Sequence, residues 1–308
     1  MIYRPKLDWL NEKFDKKART SKDYSWPKIT IITPSYNQGQ FIEDTIKSVL
    51  CQNYPNLEYL IFDGGSDDNT VEIIKKYEEY IDFWVSEKDK GQSDAINKGF
   101  RKATGDIVGW LNSDDLFYPY TLNKIANLYK TDKTYNKVYF GECDYLFDKY
   151  NFCIQNHTAK LSTDYALDLC DFIIQPSCFW GKEIIDQVGL LNEELHYGFD
   201  WEWFIRIQKA GIPFQFVKDN FSTYRIHADH KSSSAGDKRV KELAKIYARF
   251  HNDNVANSYI QLHDSKLSRI FRKLGKYLPV GSNMIRWMHW KLFFKQIDFQ
   301  TFKSIANM

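Results

Sequence analysis

The chain has 308 residues, enough for one large domain or a domain with an appendage. Its 42 basic residues against 40 acidic ones leave a formal net charge of +2, which gives no electrostatic case for nucleic acid as a partner. Five cysteines (Cys51, Cys143, Cys153, Cys170 and Cys178) form no CxxC pair and no metal-ligand spacing, so free thiols in a reducing compartment are expected.

Residues 1–27 are polar and charged, with Trp9, Leu10 and Phe14 at helical spacing, and predict a short helical arm without chemistry of its own. No apolar run follows the charges of the N-terminus, and no apolar stretch approaches the ~20 residues of a membrane span. The expectation is a cytoplasmic chain, soluble or held peripherally on the inner face of the membrane. Residues 28–34 are rich in β-branched side chains and end on Pro34, which predicts a strand. A polar loop, Ser35 to Gln40, precedes an amphipathic helix over 41–53, with Ile42, Ile46, Val49 and Leu50 on one face. A second strand, 57–62, runs into Asp63-Gly64-Gly65-Ser66-Asp67-Asp68-Asn69-Thr70, where Asn69 or Thr70 suits an N-cap for a helix over 71–80. A short strand at 83–85, a helix from 92 to 103 and a buried strand at 107–111 complete four strand–helix alternations, the pattern of a parallel sheet with covering helices.

The last of these strands runs into Asn112-Ser113-Asp114-Asp115. Two adjacent carboxylates at a strand's carboxyl end suit a hard divalent cation, Mg²⁺ or Mn²⁺, shared with substrate phosphates. Taken alone, a solvated acidic turn accounts for them as well. The loop after Pro34, Asp63 and the Asp114–Asp115 pair should all face one crevice, since ligands of open α/β sheets bind beyond the strands' carboxyl ends. No G-x-G-x-x-G and no G-x-x-x-x-G-K-[ST] is present, which argues against dinucleotide and P-loop folds.

Past residue 120 the pattern is irregular: a helix over 120–129, a strand at 138–141, a short helix between 181 and 188, and a helix opening near Asp200. Two short strands, 214–217 and 224–227, precede a polar loop over 230–236 of the kind that orders over a ligand. Residues 258–308 interleave basic side chains with Leu267, Ile270, Phe271, Trp287 and Trp290. Such a stretch either lies on anionic lipid or docks as a helical pair on the domain or on a second copy of the chain, which leaves a homo-oligomer open.

Four stretches in order, Thr33-Pro34-Ser35-Tyr36-Asn37, Asp63 to Thr70, Lys90 to Gly99 and Leu111 to Asp115, resemble the successive signatures of the family 2 glycosyltransferases with a GT-A fold. The resemblance spans roughly residues 28 to 230. It implies an α/β fold, a GT-A type Rossmann-like sandwich with a mostly parallel central sheet. It divides the chain into an N-terminal arm (1–27), a catalytic domain (28–235, its nucleotide-sugar half reaching to about 118) and a helical, basic and aromatic C-terminal extension (236–308). The implied activity is an inverting transfer from a nucleotide-diphosphate-sugar, a UDP-sugar foremost, to a hydroxyl of a glycan or lipid-linked acceptor, in surface polysaccharide or glycan synthesis.

Carried onto this sequence, the resemblance has Pro34, Ser35 and Tyr36 cradle the nucleotide, Asp63 read the base and Asp114 contact the ribose. Asp115, helped by His227, would hold Mn²⁺ or Mg²⁺ on the diphosphate. Asp94 would bind donor hydroxyls, against an i,i+4 pair with Lys98 as the plain alternative, and Arg225 would neutralise the diphosphate. Asp200 matches the family's base, and Glu202, two residues on, would point elsewhere on the helix. Asn112 stands where relatives often carry an acid, and Phe199 where an acid usually precedes the base. A nucleotidyltransferase would need a glycine- and arginine-rich loop after the first strand, and a processive synthase a Gln-x-x-Arg-Trp motif; neither is present. A non-catalytic nucleotide-sugar or carbohydrate-binding protein of the same fold is the remaining alternative.

Overall fold

A computed structural model describes residues 2–3, 7–11, 14, 25–132, 134–148, 152–154, 167–168, 171, 173–227 and 236–264. In chain order the strands are β1 (Ile2–Tyr3), β2 (Ile29–Ser35), β3 (Leu57–Asp63), β4 (Phe83–Ser86), β5 (Ile107–Trp110), β6 (Leu116–Phe117), β7 (Val138–Phe147), β8 (Phe152–Ile154), β9 (Cys178–Gly181) and β10 (Phe214–Ile226). The α-helices are α1 (Ile42–Leu50), α2 (Thr70–Lys76), α3 (Gln92–Lys102), α4 (Thr121–Asp132), α5 (Glu183–Val188), α6 (Phe199–Lys209), α7 (Gly236–Phe250) and α8 (Asp253–Asp264).

The strands form one mixed sheet in the order β1-β8-β7-β9-β5-β2-β3-β4, with β10 paired to β7 and β6. Its centre is parallel: β2 lies between β3 and β5, and β4 continues beyond β3. Every residue of β2 and β3 is buried, as expected of strands covered on both faces. Period-two alternation divides their side chains between two cores. Ile32, Leu60, Phe62, Val108 and Trp110 pack with α3, α5, α6 and α7. Ile29, Ile31, Tyr59, Ile61 and Ile107 pack with α1, α2 and α4 on the opposite face. Helix α3 crosses the sheet closely enough that a Cβ on Gly99 would lie 2.5 Å from Ile32 Cγ2, so only glycine fits that turn.

The crevice has a simple origin. Strand β2 is paired with β5 only as far as Ile32–Trp110, whereas its pairing with β3 continues to Ser35–Asp63. Pro34 falls past the last β5 partner, where its missing N–H costs no ladder bond. The two central strands separate there, at the carboxyl ends of both.

Three expectations are revised. The N-terminal arm is not only helical: Ile2–Tyr3 adds an edge strand on β8, and Leu10 in the 3-10 turn Asp8–Asn11 packs with Leu116, Leu146 and Cys153. The two short strands near 214 and 224 are one strand, β10, with register shifts on either side of Asn220. Such bulges take up the extra residues of the polar stretch without ending the strand. At the start of α2, Asn69 holds the N-cap position but makes no side-chain cap bond; Asp68 Oδ1 instead accepts from Thr70 N at 2.9 Å.

Helices α7 and α8 follow the 28–235 stretch, yet Ala244, Ile246, Tyr247 and Ala256 are buried in the main core. Residues 230–235 and 265–308, with the proposed lid and most of the basic aromatic extension, lie outside the described residues, as does Cys170. The other four cysteines are free thiols. Among the described residues no helix is long and apolar enough to cross a membrane.

Candidate active site

The crevice between β2 and β5 opens into a cavity of ≈ 870 Å³, within the ~300–1,000 Å³ usual for small-molecule sites. Pro34, Ser35 and Tyr36 form one wall, and the Gly64–Gly65 turn another. Two carboxylates expected from sequence line it, Asp114 beyond β5 and Asp200 in the first turn of α6.

Asp63 and Asp115 do not line the cavity, although sequence reasoning put both on the ligand. Asp63 is 2% exposed. Its Oδ2 accepts from Gly65 N, Ser66 N and Ser86 Oγ at 3.1, 2.9 and 2.6 Å, and its Oδ1 from Ser66 Oγ at 2.5 Å. Four hydrogen bonds use the acceptor capacity of a carboxylate, so Asp63 shapes the glycine turn that lines the cavity. The turn is locked to the loop after β2: Asn37 N donates to Ser66 Oγ and Gly39 N to Asp68 Oδ2, both at 2.8 Å.

Asp115, 1% exposed, points into the protein. Its Oδ1 accepts from Arg225 N and its Oδ2 from Asn112 Nδ2, both at 3.1 Å. Burial, followed by the charge of Asp114, pushes its carboxyl well above the usual carboxylate range, against those two hydrogen bonds. Asn112 has a structural reason to be an amide here: it accepts from Gln92 Nε2 at 2.8 Å and donates to Asp115. An acid at 112 would add a third carboxylate where one is already buried.

The group facing the cavity is Asp114, whose Oδ2 lies 3.1 Å from His227 Nε2. His227 packs on Phe41 with ring centroids 4.4 Å apart. Arg225, expected on the diphosphate, is instead engaged with protein groups as a strut. It is 5% exposed and is absent from the cavity lining. Its guanidinium binds Asp148 (2.7 Å), Asp44 (3.1 Å) and the carbonyl of Asp114 (3.0 Å), and stacks 4.9 Å from the centre of Phe41. It thereby ties β10 to the acidic loop. Asp94 is likewise withdrawn: it accepts from Lys90 N at 3.1 Å and pairs with Lys98 at 3.7 Å, outside the lining.

A metal ion here would have Asp114 to bind; His227, expected to help hold it, lies 3.1 Å from Asp114 Oδ2 but is itself outside the cavity lining. Among the described residues no group of three His, Cys, Asp or Glu converges. An oxygen and a nitrogen donor suit Mn²⁺, and Mg²⁺ is commonly held by one or two carboxylates with substrate phosphates and water completing its shell.

In the same cavity, Asp200 Oδ1 accepts from Trp201 N at 2.9 Å. Glu202 does point elsewhere: it is 1% exposed and bound by Arg206 Nε at 3.0 Å and Arg249 Nη1 at 2.6 Å. Sequence reasoning missed two neighbours of Asp200. Asp171 also lines the cavity, and enclosure and the charge of Asp200 push its carboxyl up while Arg239 opposes them. Arg239 lines the same region from α7. Three further lining atoms, Ser35 Oγ, Gln38 Oε1 and Gln175 Oε1, are buried and have no hydrogen-bond partner among the described residues.

Aromatic packing ties the strand before Asp114 to the helix that carries Asp200. Trp110 precedes the acidic loop and Trp203 follows Asp200 by less than a turn. Both pack on Trp180, with centroids 5.2 and 4.9 Å away, and on Phe100 of α3. Part of the chain's 17% aromatic content therefore forms the core that joins the elements bearing these carboxylates.

The family model described as Glycosyl transferase family 2 matches residues 30–185. An uncharacterized glycosyltransferase of Rickettsia typhi is 26% identical over 235 residues, 73% of this chain and 71% of the relative. The putative teichuronic acid biosynthesis glycosyltransferase TuaG of Bacillus subtilis is 42% identical over 92 residues, 29% of this chain and 36% of its own length. Two solved structures share the fold. S. aureus TarS 1–349 in complex with UDP-GlcNAc has a TM-score of 0.59 at 15% identity, covering 89% of this chain and 82% of that one. The match spans half of the longer TarS chain. The mannosyltransferase PcManGT from Pyrobaculum calidifontis, in complex with GDP-Man and Mn²⁺, has a TM-score of 0.58 at 18% identity, covering 97% and 88%.

Proposed function

Because the chain belongs to glycosyl transferase family 2 and is a glycosyltransferase, we propose that it moves a sugar from a nucleotide-diphosphate-sugar to an acceptor hydroxyl with inversion, in polysaccharide synthesis. The observation that carries this reading is one cavity lined by both Asp114, with His227 on it, and Asp200. Pro34, Ser35, Tyr36 and the Gly64–Gly65 turn bind the nucleotide, and Asp114 with His227 marks the diphosphate. A divalent ion held there would offset the charge on the departing diphosphate.

Asp200 is the base. As the acceptor oxygen forms its bond to the anomeric carbon, Asp200 takes the hydroxyl proton, and the bond to the diphosphate oxygen breaks on the opposite face of the ring. Asp171 and Arg239 set the charge around that step: two carboxylates in one space are costly to hold ionised together, and the guanidinium relieves the pair. TuaG and TarS support polysaccharide synthesis as the setting, and the UDP-GlcNAc and GDP-Man complexes support a nucleotide-sugar as the donor class.

Thermal melting of the full chain against UDP-sugars and GDP-mannose, with and without Mn²⁺, tests this reading. One donor should stabilise the chain in a Mn²⁺-dependent way, by about 2.7 kcal/mol at a hundredfold excess over its Kd. An unchanged melting temperature across the panel, with Mn²⁺ present, would rule the reading out.

A further inference from the structure

Asp200 sits in the first turn of α6, and that turn has no side-chain cap of its own: Gly198 occupies the N-cap position. The backbone donors ahead of the helix are taken by a side chain from elsewhere. Glu242 of α7 reaches across with both carboxylate oxygens. Its Oε2 accepts from His196 N at 2.7 Å, and its Oε1 from Tyr197 N and Gly198 N at 2.5 and 2.8 Å. Three consecutive peptide N–H groups are thus gathered onto one carboxylate, the strong charge-assisted form of hydrogen bond. The packing around them is close: a Cβ on Gly198 would lie 2.7 Å from Leu243 Cδ2 and 2.8 Å from Ile246 Cδ1. Helix α7 therefore presses on the residue two positions before Asp200 and holds its amide.

We propose that Glu242 is a positioning residue for the base: by clamping the backbone of 196–198 it fixes the start of α6, and with it the reach of Asp200 to the acceptor hydroxyl. The inference rests on the transferase reading and adds to it a residue outside the 30–185 match. It also makes α7, which lies beyond the expected 28–235 domain, part of the site twice over, through Glu242 and through Arg239 one turn earlier. The effect is one of geometry, since Glu242 does not line the cavity. A misplacement of about 1 Å can cost a reaction ~10²-fold.

The test uses the full chain and release of nucleoside diphosphate from the UDP-sugar or GDP-mannose that stabilises it, with water as acceptor. Glu242→Ala should lower kcat roughly ten- to a hundredfold, with KM for the donor and Kd for the free nucleoside diphosphate unchanged. Glu242→Gln keeps an oxygen for Tyr197 N and Gly198 N and should recover most of that loss, which guards against a variant that only folds poorly. The deciding arm is the double variant: Glu242→Ala should cost nothing further in an Asp200→Asn background, because its effect runs through that carboxylate. Additive losses, or a loss of nucleotide affinity equal to the loss in kcat, would overturn the proposal and leave the transferase reading standing. An unaltered chain that turns over none of these donors would remove both.

Discussion

Asp200→Asn is expected to lower turnover by ~10²–10⁴-fold, the usual worth of a positioned general base, while the donor binds as before. The side chain keeps its size and can still accept from Trp201 N, so the first turn of α6 has no reason to shift. The variant loses only the ability to take a proton from the acceptor hydroxyl. Glu202 cannot stand in, because it is buried against Arg206 and Arg249. Asp171 lines the same cavity and is near enough to Asp200 for the two charges to oppose each other. A residual rate in Asp200→Asn that disappears in the Asp171→Asn double variant would identify Asp171 as a substitute base. Initial-rate kinetics beside calorimetric donor binding read both quantities. Full turnover in Asp200→Asn would contradict the assignment, and an inactive parent that still binds donor would favour the non-catalytic alternative.

The second large effect belongs to the acidic loop, and it separates two adjacent residues. Asp114→Asn should weaken Mn²⁺-dependent donor binding by at least ~10–100-fold, since even a second-shell change at a metal site commonly costs that much. The same substitution should not lower the melting temperature. The charge of Asp114 helps push the buried Asp115 carboxyl upward, and removing it relieves that repulsion. Asp115→Asn should do the reverse. Its carboxylate accepts from Arg225 N and Asn112 Nδ2 inside the protein, and an amide at 115 must present a donor to one of two donors. Stability should fall, and the Mn²⁺ affinity of the folded fraction should hold. Loss of metal-dependent binding in Asp115→Asn alone, with Asp114→Asn unaffected, would reverse this assignment.

What could be read in the sequence was set by local pattern. The β-branched and apolar runs of β2, β3 and β5 specify buried central strands, and their amphipathic partners specify the covering helices. Once the strands are parallel, their carboxyl ends share one edge, which is why Pro34, Ser35, Tyr36 and Asp114 line one cavity; Asp200 reaches it from a helix, and only the family resemblance pointed to it. The orientation of individual carboxylates could not be read the same way. Asp63 is turned inward by Ser86, 23 residues away, and Asp115 by the backbone of Arg225, 110 residues away. Adjacent residues in a loop project differently, so the pair Asp114–Asp115 has one member in the cavity and one in the wall. Nothing local marks Gln175, Arg239 or Glu242: each is an ordinary polar residue until the fold brings it to the site. The sequence reading puts helix α7 in an appendage because the resemblance to family motifs runs only to about residue 230.

The cavity is expected to bind a nucleotide-sugar with its reacting carbon between Asp114 and Asp200. A crystal structure of the full chain with Mn²⁺ and UDP, or GDP if the thermal screen selects that base, tests it most directly. The expected result has the base between the Pro34–Tyr36 loop and the Gly64–Gly65 turn, with the ion on Asp114 and His227 and the terminal phosphate directed toward Asp200. A nucleotide bound outside this cavity, or an ion held by Asp115 and not by Asp114, would contradict it.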